Sequence, residues 1–171
     1  MNKKTIFLDR DGIINKVIYR ENLPASPRDR DEWFFEDGIQ EFVGTLKDNN
    51  FFIFVITNQP DIKRGLLDYE MNLNFKNLVS SYLNIDDYVF CPHDDDDACQ
   101  CRKPKPGMMS LLEKNWDIDK DNSFILGDSE KDILAGQAFG ITTLLLNKDY
   151  NTHVKADFKF SKLSAVLNYL L

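Results

Sequence analysis

The chain reads as an α/β protein built on a doubly wound parallel sheet, and three observations predict this. Its apolar stretches are short, near-continuous and rich in β-branched and aromatic residues, as strands buried on both faces are. Segments with helical spacing alternate with them, so each strand crosses over to lie parallel to the last. The runs also end in small polar or acidic groups, and in such sheets ligands bind beyond the carboxyl ends of the strands.

The first strand, Thr5-Ile6-Phe7-Leu8, follows directly on Met1-Asn2-Lys3-Lys4, which leaves no room for a signal peptide. It ends in Asp9-Arg10-Asp11-Gly12, where Gly12 permits a tight bend and frees turn amides to face an anion. The stretch from Asn15 to Asp37 carries Tyr19, Arg20, Pro24, Pro27, Arg28, Arg30 and Trp33 and is too short for a separate cap domain. An open cleft follows, narrowed by this loop, by the loop after Gln59 and by a cysteine-bearing loop. Arg20, Arg28 and Arg30 are candidates for a second phosphate or sugar hydroxyls, or ordinary surface arginines. Ile39, Phe42, Val43 and Leu46 mark a first helix. Phe52-Ile53-Phe54-Val55-Ile56 is a second strand, bounded by Asn49-Asn50 and Thr57-Asn58-Gln59-Pro60. Met71, Phe75, Leu78, Val79 and Tyr82 mark a second helix, and Met108, Leu111, Leu112 and Trp116 a third. Ser123-Phe124-Ile125-Leu126 makes a third strand and ends in Gly127-Asp128-Ser129-Glu130-Lys131-Asp132, with Asp132 at a helix start or behind the site. A fourth spans residues 142–146; residues 147–160 read as a polar link, and residues 163–171 as a terminal helix.

At 171 residues the chain suits one domain spanning residues 1–171, long enough to bury a substantial core. Its net charge of −7 repels nucleic-acid backbones. No apolar run approaches the roughly twenty residues of a membrane span. These features predict a cytoplasmic protein that binds neither membrane nor nucleic acid. No helix shows a second apolar stripe, which predicts a monomer.

Asp9 and Asp11 place two carboxylates two residues apart on a turn, where one can hold a divalent cation and attack while the other moves a proton. An acidic turn after a strand is also common without chemistry. Asp9, Asp11, Thr57 and Asp128 all fall at strand carboxyl ends, and this coincidence favours a site. All three cysteines lie in the loop 91–101, and one of the two histidines stands among them. Cys91, His93, Cys99 and Cys101 form a Cys3His set suited to tetrahedral structural zinc; an odd cysteine count without a secretory leader argues against a disulfide. Because Arg102 and Lys103 follow the last ligand, zinc would fix the loop that aims them. The run Asp94-Asp95-Asp96-Asp97 reads as a solvated loop tip.

DRDG at 9–12, TNQ at 57–59, CRKPKPGM at 101–108 and GDSEKD at 127–132 resemble, in that order and spacing, the haloacid dehalogenase superfamily of phosphatases. Cys91-Pro92-His93 followed by Cys99-Gln100-Cys101-Arg102-Lys103-Pro104 is similar to its branch of D-glycero-D-manno-heptose 1,7-bisphosphate 7-phosphatases and histidinol-phosphate phosphatases. The resemblance covers residues 5–146, approximately. It implies a Rossmann-like fold without a cap and Asp9 as nucleophile, forming an aspartyl-phosphate. It implies Asp11 as acid and base, and Mg held by Asp9, Asp128 and the backbone carbonyl of Asp11. Thr57 would donate to a phosphoryl oxygen, Lys103 would balance developing charge, and Asn58, Arg102 and Lys103 would bind substrate. Ser129 stands where the heptose enzymes commonly carry Lys, and Pro60-Asp61 where they carry Ser-Gly. The implied activity is phosphate release from a small phosphorylated sugar, a heptose bisphosphate on the route to a nucleotide-activated heptose. Alternatives are histidinol phosphate in histidine biosynthesis, a polynucleotide end, and a non-catalytic zinc-stabilised domain.

Overall fold

The elements run β1 (Lys3–Leu8), β2 (Ile18–Arg20), β3 (Leu23–Ala25), α1 (Ile39–Asp48), β4 (Phe52–Asn58), α2 (Pro60–Lys63), α3 (Tyr69–Tyr82), β5 (Asp87–Cys91), α4 (Gly107–Glu113), β6 (Ile118–Gly127), α5 (Glu130–Phe139), β7 (Thr142–Leu146), β8 (Phe158–Phe160) and α6 (Leu163–Leu170). The computed structural model describes residues 3–171; Met1 and Asn2, part of the expected lead into the first strand, lie outside them. Six strands form one sheet in the order β5-β4-β1-β6-β7-β8, every neighbouring pair parallel.

The pleat explains why both faces had to be apolar. Ile6, Leu8, Ile53 and Val55 pack to one side, with Phe42 and Val43 of α1, Phe75 and Val79 of α3 and Val166 of α6. Phe7, Phe54 and Ile56 point the other way, onto Met108, Met109 and Leu112 of α4 and Ala135 and Phe139 of α5. The expected doubly wound sheet is therefore present. No helix among the described residues is long and apolar enough to cross a membrane.

Three stretches differ from the sequence expectation. The stretch between Asn15 and Asp37 is not a plain loop: β2 and β3 pair antiparallel in a hairpin. Its tip, Glu21 and Asn22, takes positive φ at both residues, the backbone that suits a two-residue turn to the strand twist. Residues 147–160 are not merely a polar link, because Phe158–Phe160 adds the edge strand β8 and Asn151 and Val154 are buried. Finally, the aspartate run is solvent-exposed at Asp95 and Asp96, as expected of a loop tip, but it is ordered and ion-paired rather than free. Asp95–Asp97 forms one turn of 3-10 helix; Asp94 pairs with Arg64 at 2.5 Å, Asp95 with Arg102 at 2.7 Å and Lys131 at 3.3 Å, and Asp97 with Lys63 at 3.2 Å.

Candidate active site

The carboxyl ends of β1, β4 and β6 meet at one floor. Asp9 leaves β1 with its amide bonded to Leu126 O at 3.0 Å, which fixes it beside the end of β6. Gly12, at φ 86°, is the close-approach point: a Cβ there would lie 2.0 Å from Asp128 Oδ2. Gly127 has a like role, since a Cβ would stand 2.3 Å from the Asp132 side chain. Two glycines thus let three carboxylates converge. Asp9, Asp128 and Asp132 each offer an oxygen within 4.8 Å of the others, and all three are buried.

Lys103 enters this floor from the cysteine loop. Its Nζ lies 2.7 Å from Asp9 Oδ1, 2.6 Å from Asp132 Oδ1 and 2.8 Å from Ile56 O. Burial alone would lower its pKa, but Asp132 and Asp9 hold the ammonium above its ordinary range. One ammonium does not balance three carboxylates. Burial and then the Asp132 charge, against the pull of Lys103, push Asp9 up to about 7, and burial with Asp9 and Asp132 pushes Asp128 well above the usual carboxylate range. A buried group of this kind, rich in oxygen and short of positive charge, fits a hard divalent cation.

Asp11 points away from that group. Its carboxylate accepts from Arg10 Nη2 at 2.9 and 3.0 Å, Asn15 Nδ2 at 3.0 Å, Ser26 Oγ at 2.8 Å and Gln59 Nε2 at 2.8 Å. Burial would raise its pKa, but Arg10 and these donors outweigh burial and hold it below the ordinary value. Arg10 is itself fully buried, against the rings of Trp33 and Phe75. Nothing in the local sequence marked Arg10 as a buried partner, because its charge reads as surface.

Thr57 is buried at the end of β4, and its Oγ1 accepts from Gln59 Nε2 at 2.9 Å. Asn58 grips the backbone of Lys103, accepting from its N at 3.0 Å and donating to its O at 3.0 Å. Arg102 donates to Asp95 and to His93 O and lines the same cleft as Asp9, Asp11, Asn58, Lys103 and Asp128. This cleft has a volume of about 500 Å³. Arg20 and Arg28 reach it; Arg30 lies instead in a separate groove beside α3. Arg20 is paired with Glu32, and Arg28 with Asp61 at 2.7 Å. Asp132 stands at the start of α5, accepting from the backbone N of Ser129 at 3.0 Å, so Ser129 caps the helix. Tyr150 and Asn151 complete the floor on the side where a polar link was expected: the Tyr150 hydroxyl donates to Asp128 Oδ2, and Asn151 Nδ2 donates to Asp128 O at 2.8 Å.

Beyond β5 lies the second cluster. The Sγ atoms of Cys91, Cys99 and Cys101 are 3.1 to 3.6 Å apart, and His93 Nδ1 lies 3.3 Å from Cys101 Sγ and 3.5 Å from Cys91 Sγ. Four ligands about 2.3 Å from a tetrahedral zinc would stand about 3.7 Å apart, so this donor set fits that ion with small adjustment. All three cysteines are free thiols rather than a disulfide.

Residues 4–169 match the polynucleotide kinase 3 phosphatase family. The D-glycero-alpha-D-manno-heptose-1,7-bisphosphate 7-phosphatase of Campylobacter jejuni is 33% identical, over 99% of this chain and 96% of its own length. The chain belongs to the heptose-1,7-bisphosphate 7-phosphatase family. A D-glycero-beta-D-manno-heptose-1,7-bisphosphate 7-phosphatase of Helicobacter pylori is 38% identical over 78% of this chain and 76% of its own. Among solved structures, the D,D-heptose 1,7-bisphosphate phosphatase of B. bronchiseptica, complexed with magnesium and phosphate, superposes with a TM-score of 0.84 at 26% identity, covering 98% of this chain and 97% of that one. The chain is thus a phosphatase with the haloacid dehalogenase fold, as its motifs implied.

Proposed function

We propose that this phosphatase removes the 7-phosphate of a D-glycero-D-manno-heptose 1,7-bisphosphate by way of an aspartyl-phosphate on Asp9. The observation that carries the chemistry is the meeting of Asp9, Asp128 and Asp132 with Lys103 on the floor of an open cleft. Substrate identity rests on the relatives' names and on their coverage of almost the whole chain.

An Asp9 oxygen attacks phosphorus as the bond to the sugar oxygen breaks, and Asp11 gives that oxygen its proton. Water, losing a proton to Asp11, then attacks the same phosphorus and releases Asp9. In the free protein Arg10 and the surrounding donors hold Asp11 as the carboxylate, the form that can take water's proton. For the first, the phosphate dianion arriving beside it raises its proton affinity. Lys103, tied to Asp9, stays charged throughout and faces the anionic transition state. The Thr57 hydroxyl, accepting from Gln59, retains its proton to donate to a phosphoryl oxygen. Asp9, Asp128 and the Asp11 carbonyl would hold Mg, which supplies charge neutralisation to the transferring group. Cys91, His93, Cys99 and Cys101 would hold zinc in a structural role.

The family match favours a second reading, release of a terminal phosphate from nucleic acid, although a net charge of −7 opposes that substrate. Phosphate release with Mg is the test, comparing both anomers of the heptose bisphosphate, histidinol phosphate and a 3′-phosphorylated oligonucleotide. We expect a heptose anomer to be turned over with the highest kcat/KM. Preference for histidinol phosphate or the oligonucleotide would overturn the assignment.

A further inference from the structure

We infer that Tyr150 is a positioning residue for divalent-cation binding, acting through Asp128. The inference rests on the proposed use of Asp9 and Asp128 as cation ligands. Its starting point is the stretch 147–154, which has no regular structure yet is fastened at several points. Lys148 Nζ pairs with Glu36 Oε1 at 2.5 Å, and Val154 is buried with Ile133 and Leu145. Between these anchors Asn151 is 2% exposed, and its Nδ2 donates both to Asp128 O at 2.8 Å and to Leu146 O at 2.9 Å. Asn151 Oδ1 accepts from Lys148 N at 2.9 Å, closing the stretch on itself. Tyr150 is therefore carried to the floor by a built strap.

The hydroxyl that arrives there donates to Asp128 Oδ2. Both atoms lie over the missing side chain of Gly12, where a Cβ would be 2.0 Å from Asp128 Oδ2 and 3.0 Å from the Tyr150 oxygen. The space vacated at Gly12 is thus shared by the carboxylate and the phenol that holds it. With Oδ2 engaged, Oδ1 is left to ligate, and rotation of the carboxylate about its own axis would cost the phenol bond. The Asp128 backbone and side chain are consequently fixed by adjacent residues, Asn151 and Tyr150. Partners that orient a ligating group in this way raise metal affinity by about 10- to 100-fold.

Magnesium requires near-ideal octahedral placement of its ligands, whereas calcium accepts a flexible shell. Loss of orientation should therefore be felt by magnesium and not equally by calcium. The experiment titrates the whole protein with MgCl2 and, separately, CaCl2 by calorimetry without substrate, for wild type, Tyr150→Phe and Asp128→Asn. Tyr150→Phe should weaken magnesium binding by about tenfold and calcium binding by less than about threefold. Asp128→Asn should lose both. Equal losses for the two cations would mean that the phenol only holds the strap in place, and this would overturn the inference. So would magnesium affinity in Tyr150→Phe within twofold of wild type, or tighter. If Asp128→Asn binds magnesium as wild type does, the ligand reading itself fails, separately from the role of Tyr150.

Discussion

Two clusters of potential metal ligands sit about one sheet end and are built on opposite principles. The carboxylate floor is assembled from two chain segments far apart in sequence, Asp9 after β1 and the pair Asp128 and Asp132 on the turn from β6 into α5, on rigid strand ends and a helix start. Its charges conflict, as the upward shifts of Asp9 and Asp128 attest. The cysteine cluster comes from one stretch of eleven residues, 91–101, and its ligand atoms already stand near tetrahedral spacing. The first concentrates like charges that a bound cation would neutralise; the second is a local cluster whose contribution, with zinc bound as proposed, would be read in stability. Four experiments break or sharpen that contrast.

The largest effect belongs to the floor. Asp9→Asn should reduce turnover by at least about 10⁴-fold. Its melting temperature should not fall, because removal of the Asp9 charge relieves repulsion with Asp128 and Asp132 even as it weakens the tie to Lys103. Activity within tenfold of wild type would remove Asp9 from the chemistry. In the cysteine cluster the ordering reverses. Cys101→Ser should lower the melting temperature by about 5–10 °C, the equivalent of 2–3 kcal/mol in a chain of this size, with a smaller fall in kcat. Zinc-free protein that melts and turns over like wild type would contradict this.

A pH titration of stability without added magnesium separates the clusters next. Asp9 is raised from 3.8 to about 7 by folding, so its contribution is complete below pH 3.8 and is lost as pH rises through about 7. Asp128 shifts in the same direction. The melting temperature should accordingly fall by several degrees from pH 5 to pH 8, and magnesium should restore more at pH 8, where the site has shed its protons. A rise over that interval without magnesium would refute the reading of the floor as charge-strained. The smallest effect is expected at the rim. Asp95, held at about 2 chiefly by Arg102 and Lys131, is an exposed partner, so Asp95→Asn should change KM by about threefold or less, with the melting temperature almost constant. A tenfold change in KM would show that this carboxylate governs Arg102.

The same contrast explains which parts could be read from the sequence. The convergence of Cys91, His93, Cys99 and Cys101 was legible, since the four are close in sequence and chemically distinctive. Asp9, Asp11, Thr57 and Asp128 were legible because each closes an apolar run or stands just beyond it. The strands β5 and β8 were not, being short and at the sheet edges, where one side lacks a neighbour to demand continuous apolar residues. The helix α5 was marked only at its start, by Asp132, for another reason: beside Ile133 and Phe139 its buried positions are Asp132, Ala135 and Gly136, small or charged groups that interrupt the apolar stripe. A Cβ at Gly136 would stand 2.4 Å from Ile125, so close packing on the sheet, not hydrophobic spacing, chose that residue. Arg10, Tyr150 and Asn151 could be found only from tertiary contacts, because each acts on a carboxylate through space and none lies in an apolar pattern.

Gln59 joins the two clusters. Its amide donates to Cys91 O at 2.7 Å, and its side chain donates to Asp11 Oδ2 and to Thr57 Oγ1. The backbone of Cys91, in the cysteine cluster, and the carboxylate of Asp11, beside the floor, are therefore each one hydrogen bond from the same glutamine. In engineering terms the cysteine loop is not an interchangeable cassette: a chimera that imports another relative's loop must also keep the pairing between position 59 and the end of β5.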